Sequence, residues 1–268
     1  MSGSVRIGAV AYLNSKPLIE GIEQLAPQCK LSLAVPSQLA DQLASDQLDI
    51  ALIPVIEYFR NPHNQLVSDA CVSCRGPVRS VKLFSRVPIE NISSLALDVG
   101  SRTSVGLIRL LLLQRYGVQP RECGLPMDAQ PDTIDADAVL LIGDRAMQSP
   151  PGKWKVIWDL GEEWTRWTKL PFVFAVWVAR PGIDLESMGR TLSKIRDHGV
   201  RKIESIAEKE GPLLGLSVAE CCHYLSVHLQ YHLNSQEREG LLLFETKLEE
   251  ADLLEPNTTT VTRSSVSL

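Results

Sequence analysis

The sequence predicts an α/β protein of two lobes, with a ligand cleft between them and helices at the C-terminal end. Three observations carry that expectation. Apolar, strand-like runs alternate with helix-like segments from residue 5 to about 180, and such alternation means βαβ units around a mostly parallel sheet. The alternation falls into two successive units, the second beginning near Leu95. After Pro181-Gly182 the strand pattern stops and only helical spacing remains.

Residues 5–10 read as a first strand, buried on both faces or nearly so. Asn14-Ser15-Lys16-Pro17 then opens a helix expected to reach about Leu25, with Pro near its first turn. Residues 31–35 are a second strand, and Pro36-Ser37 opens a helix with Leu39, Ala40 and Leu43 on one face. Residues 49–53 are a third strand, followed by Pro54 and a short helix over 55–59. Residues 78–84 read as a strand leaving this first unit. A strand at 95–99 and a helix at 103–116 begin the second unit. Residues 137–142 form a buried strand closed by Gly143-Asp144, and Val156-Ile157 is a short strand before Asp159. Residues 172–179 are rich in β-formers. Leu185, Met188, Leu192, Ile195, Ile203 and Ile206 then recur at helical spacing. Ser217-Val218-Ala219-Glu220 and Asn234-Ser235-Gln236-Glu237 read as capping boxes, the second followed by Leu241, Phe244 and Leu248. From Pro256 onward the chain reads as a disordered tail. With crossings near 83–87 and 176–181, lobe 1 takes residues 1–86 and 178–268, and lobe 2 takes 87–177.

Composition narrows the function. The 268 residues suit one large or two modest domains, and 44% apolar content is enough for a core. The net charge is −5 with no long basic block, so nucleic acid is not an expected partner. A small dianion is still a possible ligand where positive groups gather locally. No long apolar stretch follows Met1, so no signal peptide is expected. The longest apolar runs, such as 110–113 and 172–179, are too short to span a bilayer. The expectation is a soluble cytoplasmic protein without a membrane partner; oligomeric state has no signature in the sequence. Six cysteines stand at 29, 71, 74, 123, 221 and 222. Cys71-Val72-Ser73-Cys74 has redox-motif spacing, but no second pair accompanies it, so a structural role is preferred.

In doubly wound sheets ligands lie at the carboxyl ends of strands. The groups there are Tyr12, Asn14 and Lys16 after strand one, 53–57 after strand three, and 75–80 near a crossing. The second unit supplies Gly100-Ser101-Arg102-Thr103-Ser104 and Gly143-Asp144. Three hydroxyls and a guanidinium thus sit where a helix begins. The first helical N–H groups lack partners and carry partial positive charge, which suits an anion. The same residues also read as an ordinary N-cap. Asn14 is a cap or a ligand group, Asp144 a cap, and Lys16 a surface charge or a ligand cation. Arg79 and Ser80 alternate, so at most one faces a ligand.

No Gly-x-Ser-x-Gly and no Gly-x-x-x-x-Gly-Lys-Ser/Thr occurs. His228 and His232 are four apart, but no His-Glu-x-x-His is present, and no metal site is expected. Any reaction must lean on hydrogen bonds and helix-end fields. Two classes remain: binding without chemistry, or an elimination whose substrate brings its own base.

Several segments resemble one family. They are 11–18, 48–58, 76–81, Ser101-Arg102-Thr103-Ser104, 142–144, 159–162 and 170–175. Together they are similar to the chorismate dehydratases of the futalosine route to menaquinone, densely from residue 5 to about 180 and more loosely beyond. The resemblance implies the two-lobed fold of type II periplasmic binding proteins. It implies removal of water from chorismate to give 3-[(1-carboxyvinyl)oxy]benzoate, with the substrate's enolpyruvyl carboxylate as base and no cofactor. It gives Asn14 and Ser80 the catalytic places and makes the turn of Ser101, Arg102, Thr103 and Ser104 a carboxylate holder. Gly143 and Asp144 join the binding site, and Arg79 or Lys16 offsets the second charge of this small dicarboxylate. One departure stands out: Lys169 occupies a position where the family pattern Thr-Gly-Leu-Pro has Gly, and Gly takes backbone angles that Lys resists. The alternatives are a solute-binding receptor of the same fold, and the sibling enzyme acting on cyclic dehypoxanthine futalosine. A receptor calls for a signal peptide or lipid anchor. The sibling calls for a histidine near the end of the first strand, where this chain has Asn14.

Overall fold

The computed structural model describes residues 4–254, so the tail expected from Pro256 lies outside the described residues. In chain order, β1 (Val5–Val10) leads through a 3-10 turn at Leu13–Leu18 to α1 (Ile22–Leu25), β2 (Cys29–Ala34) and α2 (Pro36–Ala44). Then come β3 (Ile50–Pro54), α3 (Val55–Arg60) and β4 (Gln65–Cys74). The next stretch holds β5 (Val81–Ser85), β6 (Ser94–Asp98), α4 (Arg102–Tyr116), β7 (Arg121–Leu125), β8 (Ala138–Ile142), β9 (Val156–Asp159) and α5 (Leu160–Thr168). It is followed by β10 (Phe172–Ala179), α6 (Leu185–Arg201), α7 (Ile203–Glu210), α8 (Val218–His223), β11 (Gln230–His232) and α9 (Ser235–Glu250).

The strands build two sheets. The first has the order β11-β4-β10-β3-β1-β2 and the second β7-β6-β8-β5-β9. In each sheet the early strands pair in parallel, β1 with β2 and β3, and β6 with β7 and β8. In each, a later or crossing strand is inserted antiparallel: β10 between β3 and β4, and β5 between β8 and β9. The two carboxyl ends thus face a common cleft, as the alternation predicts.

The crossings lie elsewhere than expected. The strand at 81–85 belongs to the second sheet and the strand at 172–179 to the first. The chain therefore passes between sheets at 75–80 and 169–171, not at 86–87 and 177–178. All eight residues of β10 are buried, so it needs a central place, and the first sheet provides one between β3 and β4. The first crossing turns sharply, with left-handed backbone at Gly76 (φ 107°) and Arg79 (φ 63°).

Side-chain alternation sorts the core. On β8, Leu140 and Ile142 join the main apolar cluster, while Val139 and Leu141 join a smaller one with Phe84, Ala96 and Leu125. The main cluster is continuous across both sheets. The C-terminal helices cover the first sheet: α6 lies along β4 and the 3-10 turn, and α9 stacks Phe244 on Phe172, Trp164 and Phe59. Gly199 of α6 makes close approach possible, since a Cβ there would collide with the Pro17 carbonyl. The helix thereby supports the turn that carries Asn14.

Three local expectations are corrected. The helix after β1 is a 3-10 turn that stops before Gly21, whose φ of 74° breaks the path to α1. The capping box at Ser217 and Glu220 forms, but the one at Asn234 does not. There the buried Glu237 pairs instead with the exposed Arg75 at 2.8 Å. His228 and His232 do not share a helix face, because His228 ends a π-helical turn and His232 lies in β11. Among the described residues no His, Cys, Asp and Glu cluster suits a metal ion. Cys71 and Cys74 are free thiols buried in β4. Burial pushes the Cys71 thiol up to about 12, the state of an inert structural cysteine.

Candidate active site

The second sheet shapes its wall of the cleft around Asp98, the last residue of β6. This buried carboxylate accepts hydrogen bonds from the N–H of Gly100 (2.9 Å) and of Ile142 (3.3 Å). Arg145 neutralises it, with Nη2 at 2.5 Å. The turn before α4 and the end of β8 are thus tied to one side chain. Ser101 caps α4: its Oγ accepts from the Ser104 N–H at 3.2 Å and donates to Ser104 Oγ at 2.9 Å. A hydroxyl has one hydrogen, so the Ser104 hydrogen is left for a ligand. The N-terminus of α4 adds its dipole at the same place.

The first sheet supplies the opposite wall. After β1 the chain turns through Tyr12 and Asn14, held by Ser15 Oγ, which donates to the carbonyls of Val10 and Tyr12. The Tyr12 ring lies flat on Gly143: a Cβ there would stand 2.9 Å from the ring, and φ is 68°. Only glycine satisfies both conditions. Ser80 enters from the crossing segment, whose backbone is fixed by Asp159. That carboxylate accepts from the N–H groups of Val78 (2.9 Å), Arg79 (2.6 Å) and Glu162 (3.1 Å). Burial still raises its pKa above the usual carboxylate value.

Between the walls lies a narrow cavity of about 40 Å³. Tyr12, Asn14, Ser80, Ser101, Ser104 and Gly143 form its polar side, and Val72, Val78 and Phe174 are part of its apolar side. Every lining residue is uncharged. The Tyr12 hydroxyl and Asn14 Oδ1 are buried there without a hydrogen-bond partner. Burial, reinforced by Asp98, pushes the Tyr12 phenol up, so it stays a neutral donor.

Five sequence candidates thus meet in one cavity: Asn14, Ser80, Ser101, Ser104 and Gly143. The other five face elsewhere. Arg102 reaches across to the first sheet, pairing with Asp41 at 2.8 Å and Glu57 at 3.2 Å. Thr103 Oγ1 accepts from the Ile56 N–H at 3.4 Å. Lys16 pairs with Glu210 of α7 at 3.0 Å. Arg79 is exposed. Asp144 accepts from the Leu13 N–H at 3.1 Å, and burial raises its pKa. Arg102, Thr103 and Asp144 therefore join the two walls, together with the Ser37 N–H to Gly100 carbonyl bond at 3.2 Å. Asp98 was hidden in the sequence as a strand residue; its signal is an Asp two places before Gly at a strand end, an Asx-turn pattern.

The family model described as menaquinone biosynthesis matches residues 5–250. The chorismate dehydratase of Thermus thermophilus is 32% identical over 266 residues, covering 89% of this chain and 93% of that one. Among solved structures, a protein from Archaeoglobus fulgidus aligns with a TM-score of 0.71 at 12% identity, over 93% of this chain and 98% of that one. The alkanesulfonate-binding protein of Xanthomonas axonopodis pv. citri, bound to MOPS, gives 0.65 at 14% identity over 94% of each chain. The periplasmic aliphatic sulphonate-binding protein of Escherichia coli gives 0.60 at 15% identity, over 94% of this chain and 88% of that one. These structural likenesses are of fold, and the fold is that of periplasmic binding proteins.

Proposed function

The chain belongs to the menaquinone biosynthesis family, and from that premise we infer that it is a chorismate dehydratase. It removes water from chorismate to give 3-[(1-carboxyvinyl)oxy]benzoate. The observation that carries the reading is the relative at 32% identity across nearly the whole of both chains. The neutral cavity between the sheets supports it.

The chemistry needs little from the protein beyond placement. The C–H beside the enolpyruvyl ether loses its proton, the neighbouring hydroxyl leaves, and the ring becomes aromatic. In our reading the substrate's enolpyruvyl carboxylate takes the proton, and no metal or cofactor takes part. Orientation of such an internal group supplies roughly 7–11 kcal/mol. Asn14 and Ser80 hydrogen-bond the reacting region, and Ser80 donates to the departing hydroxyl. The α4 N-terminus, Ser101 and Ser104 take a carboxylate, with Tyr12 as a further neutral donor beside Gly143. Arg102, Thr103, Lys16, Arg79 and Asp144 shape the walls rather than touch the ligand. The lobes of this reading follow the sheets: residues up to 74 and from 172 carry Asn14, and 81–168 carry Ser101. The enzyme acts in the cytoplasm on a small dicarboxylate. No helix among the described residues is long and apolar enough to cross a membrane.

The test is direct. Purified, chelator-treated protein is mixed with chorismate, and a product lighter by one water is expected. Unchanged chorismate with a co-purified small anion would replace the enzyme with a receptor. Consumption of cyclic dehypoxanthine futalosine instead would identify the sibling activity.

A further inference from the structure

The first crossing, residues 75–80, has to change sheets and also aim Ser80. Arg79 and Ser80 are adjacent, yet Arg79 is exposed while Ser80 is 1% exposed in the cavity wall. What separates them is the backbone at Arg79, whose φ of 63° lies in the left-handed region. Residues with a Cβ resist that region, so something outside the crossing has to impose it.

The start of α5 provides the constraint. The crossing lies directly on it: a Cβ at Gly161 would stand 2.7 Å from the Gly76 carbonyl, and Thr165 Oγ1 accepts from the Gly76 N–H at 3.0 Å. Asp159, which caps α5, reaches further along the same segment. Its Oδ1 accepts from the Val78 N–H and from the Glu162 N–H of its own helix, while Oδ2 accepts from the Arg79 N–H at 2.6 Å. Two successive N–H groups converge on one anion only where the backbone bends through a turn or a right-handed to left-handed step. Capping α5 needs one oxygen alone, so the second oxygen has another task.

We propose that Asp159 is a positioning residue: by binding the Val78 and Arg79 N–H groups together, it holds Arg79 left-handed and turns Ser80 into the cavity. The Ser80 hydroxyl donates to the Val78 carbonyl at a long 3.5 Å, a contact weak enough to yield to an acceptor at ordinary distance. Main-chain geometry, rather than a partner for the hydroxyl, thus aims this side chain. The proposal rests on the dehydratase reading, in which Ser80 donates to the departing hydroxyl.

Two substitutions keep a cap on α5 and break the double grip. Asp159→Asn sets an amide donor against the Arg79 N–H, and the single oxygen of Asp159→Ser cannot span both N–H groups. Turnover of chorismate is measured well below each variant's melting temperature. In either variant kcat should fall about tenfold, the worth of one hydrogen bond to a charged group, with KM within about threefold. In a Ser80→Ala background the same changes should have no further effect, because the hydroxyl they aim is gone. In an Arg79→Gly background the tenfold loss should shrink to twofold or less, since glycine takes the left-handed region unaided. A kcat within twofold of wild type for both variants overturns the proposal. So does an undiminished loss in either background, or failure of both variants to fold, each of which would make Asp159 a helix cap and nothing more. A wild-type protein that does not dehydrate chorismate instead sinks the functional reading, and this proposal with it.

Discussion

Arg79 and Ser80 are neighbours with opposite fates. Arg79 takes left-handed backbone and points to solvent, while Ser80 is buried in the cavity wall. The period of the chain predicts that opposition, but it does not say which of the two turns inward. For Asn14→Ala and Ser80→Ala, turnover of chorismate should fall about a hundredfold each, the usual scale for losing one positioned donor. Thermal melts should stay near wild type, and near-wild-type turnover in both variants would remove these residues from the site. What was legible here follows from strand ends: Asn14, Ser80, Ser101, Ser104 and Gly143 all sit at them and all converge. The cations were not legible. Arg102 and Lys16 are claimed by Asp41, Glu57 and Glu210, partners far away in the chain that only the fold brings near.

At the scale of elements, the strong apolar runs and the α4 helix were readable because burial and periodicity agree in them. The edge strand β7 was not, since four of its five residues are exposed and polar patterning hides it. Lys169 closes α5 in the left-handed region at φ 64°, where glycine is favoured. Lys169→Gly should therefore stabilise the fold by roughly 0.5–1 kcal/mol, read as a rise in melting temperature with unchanged kcat. Lys169 is not among the cavity-lining residues, so the departure from the family pattern bears on the turn and leaves the site alone.

At the scale of the molecule, sheet membership was the hardest thing to read. A buried apolar run such as β10 does not announce which sheet will take it, and the position of both crossings depends on that choice. The ends of the strands remote from the cleft are tied by Asp49, which holds Arg6 at 2.7 Å and Arg180 at 2.8 Å. The Arg6 hydrogen bond is the chief reason its pKa lies well below the usual carboxylate value. The folded state therefore binds fewer protons at this site than the unfolded chain. Its stabilisation is complete above the unfolded pKa near 3.9 and is lost as pH falls toward the depressed folded value. Asp49→Asn should cost about 2 kcal/mol at pH 7, and denaturant melts should show the gap closing between pH 4 and 2. A gap that widens in acid would contradict this assignment.

The uncharged lining of the cavity has a consequence for proton transfer. A guanidinium or ammonium within about 4–6 Å of a carboxylate lowers its pKa by 1–3 units, and a weaker base removes a carbon-bound proton more slowly. In the proposed mechanism, a dianion held by dipoles and hydroxyls would keep its carboxylate basic. Tight binding and fast deprotonation would then pull against each other. Pro36 lines the cavity and is half-buried at the start of α2. Pro36→Lys should bring an ammonium to that edge, lowering KM while cutting kcat by about threefold to tenfold. Steady-state kinetics showing both constants rising together would break this link between a neutral wall and a reactive substrate.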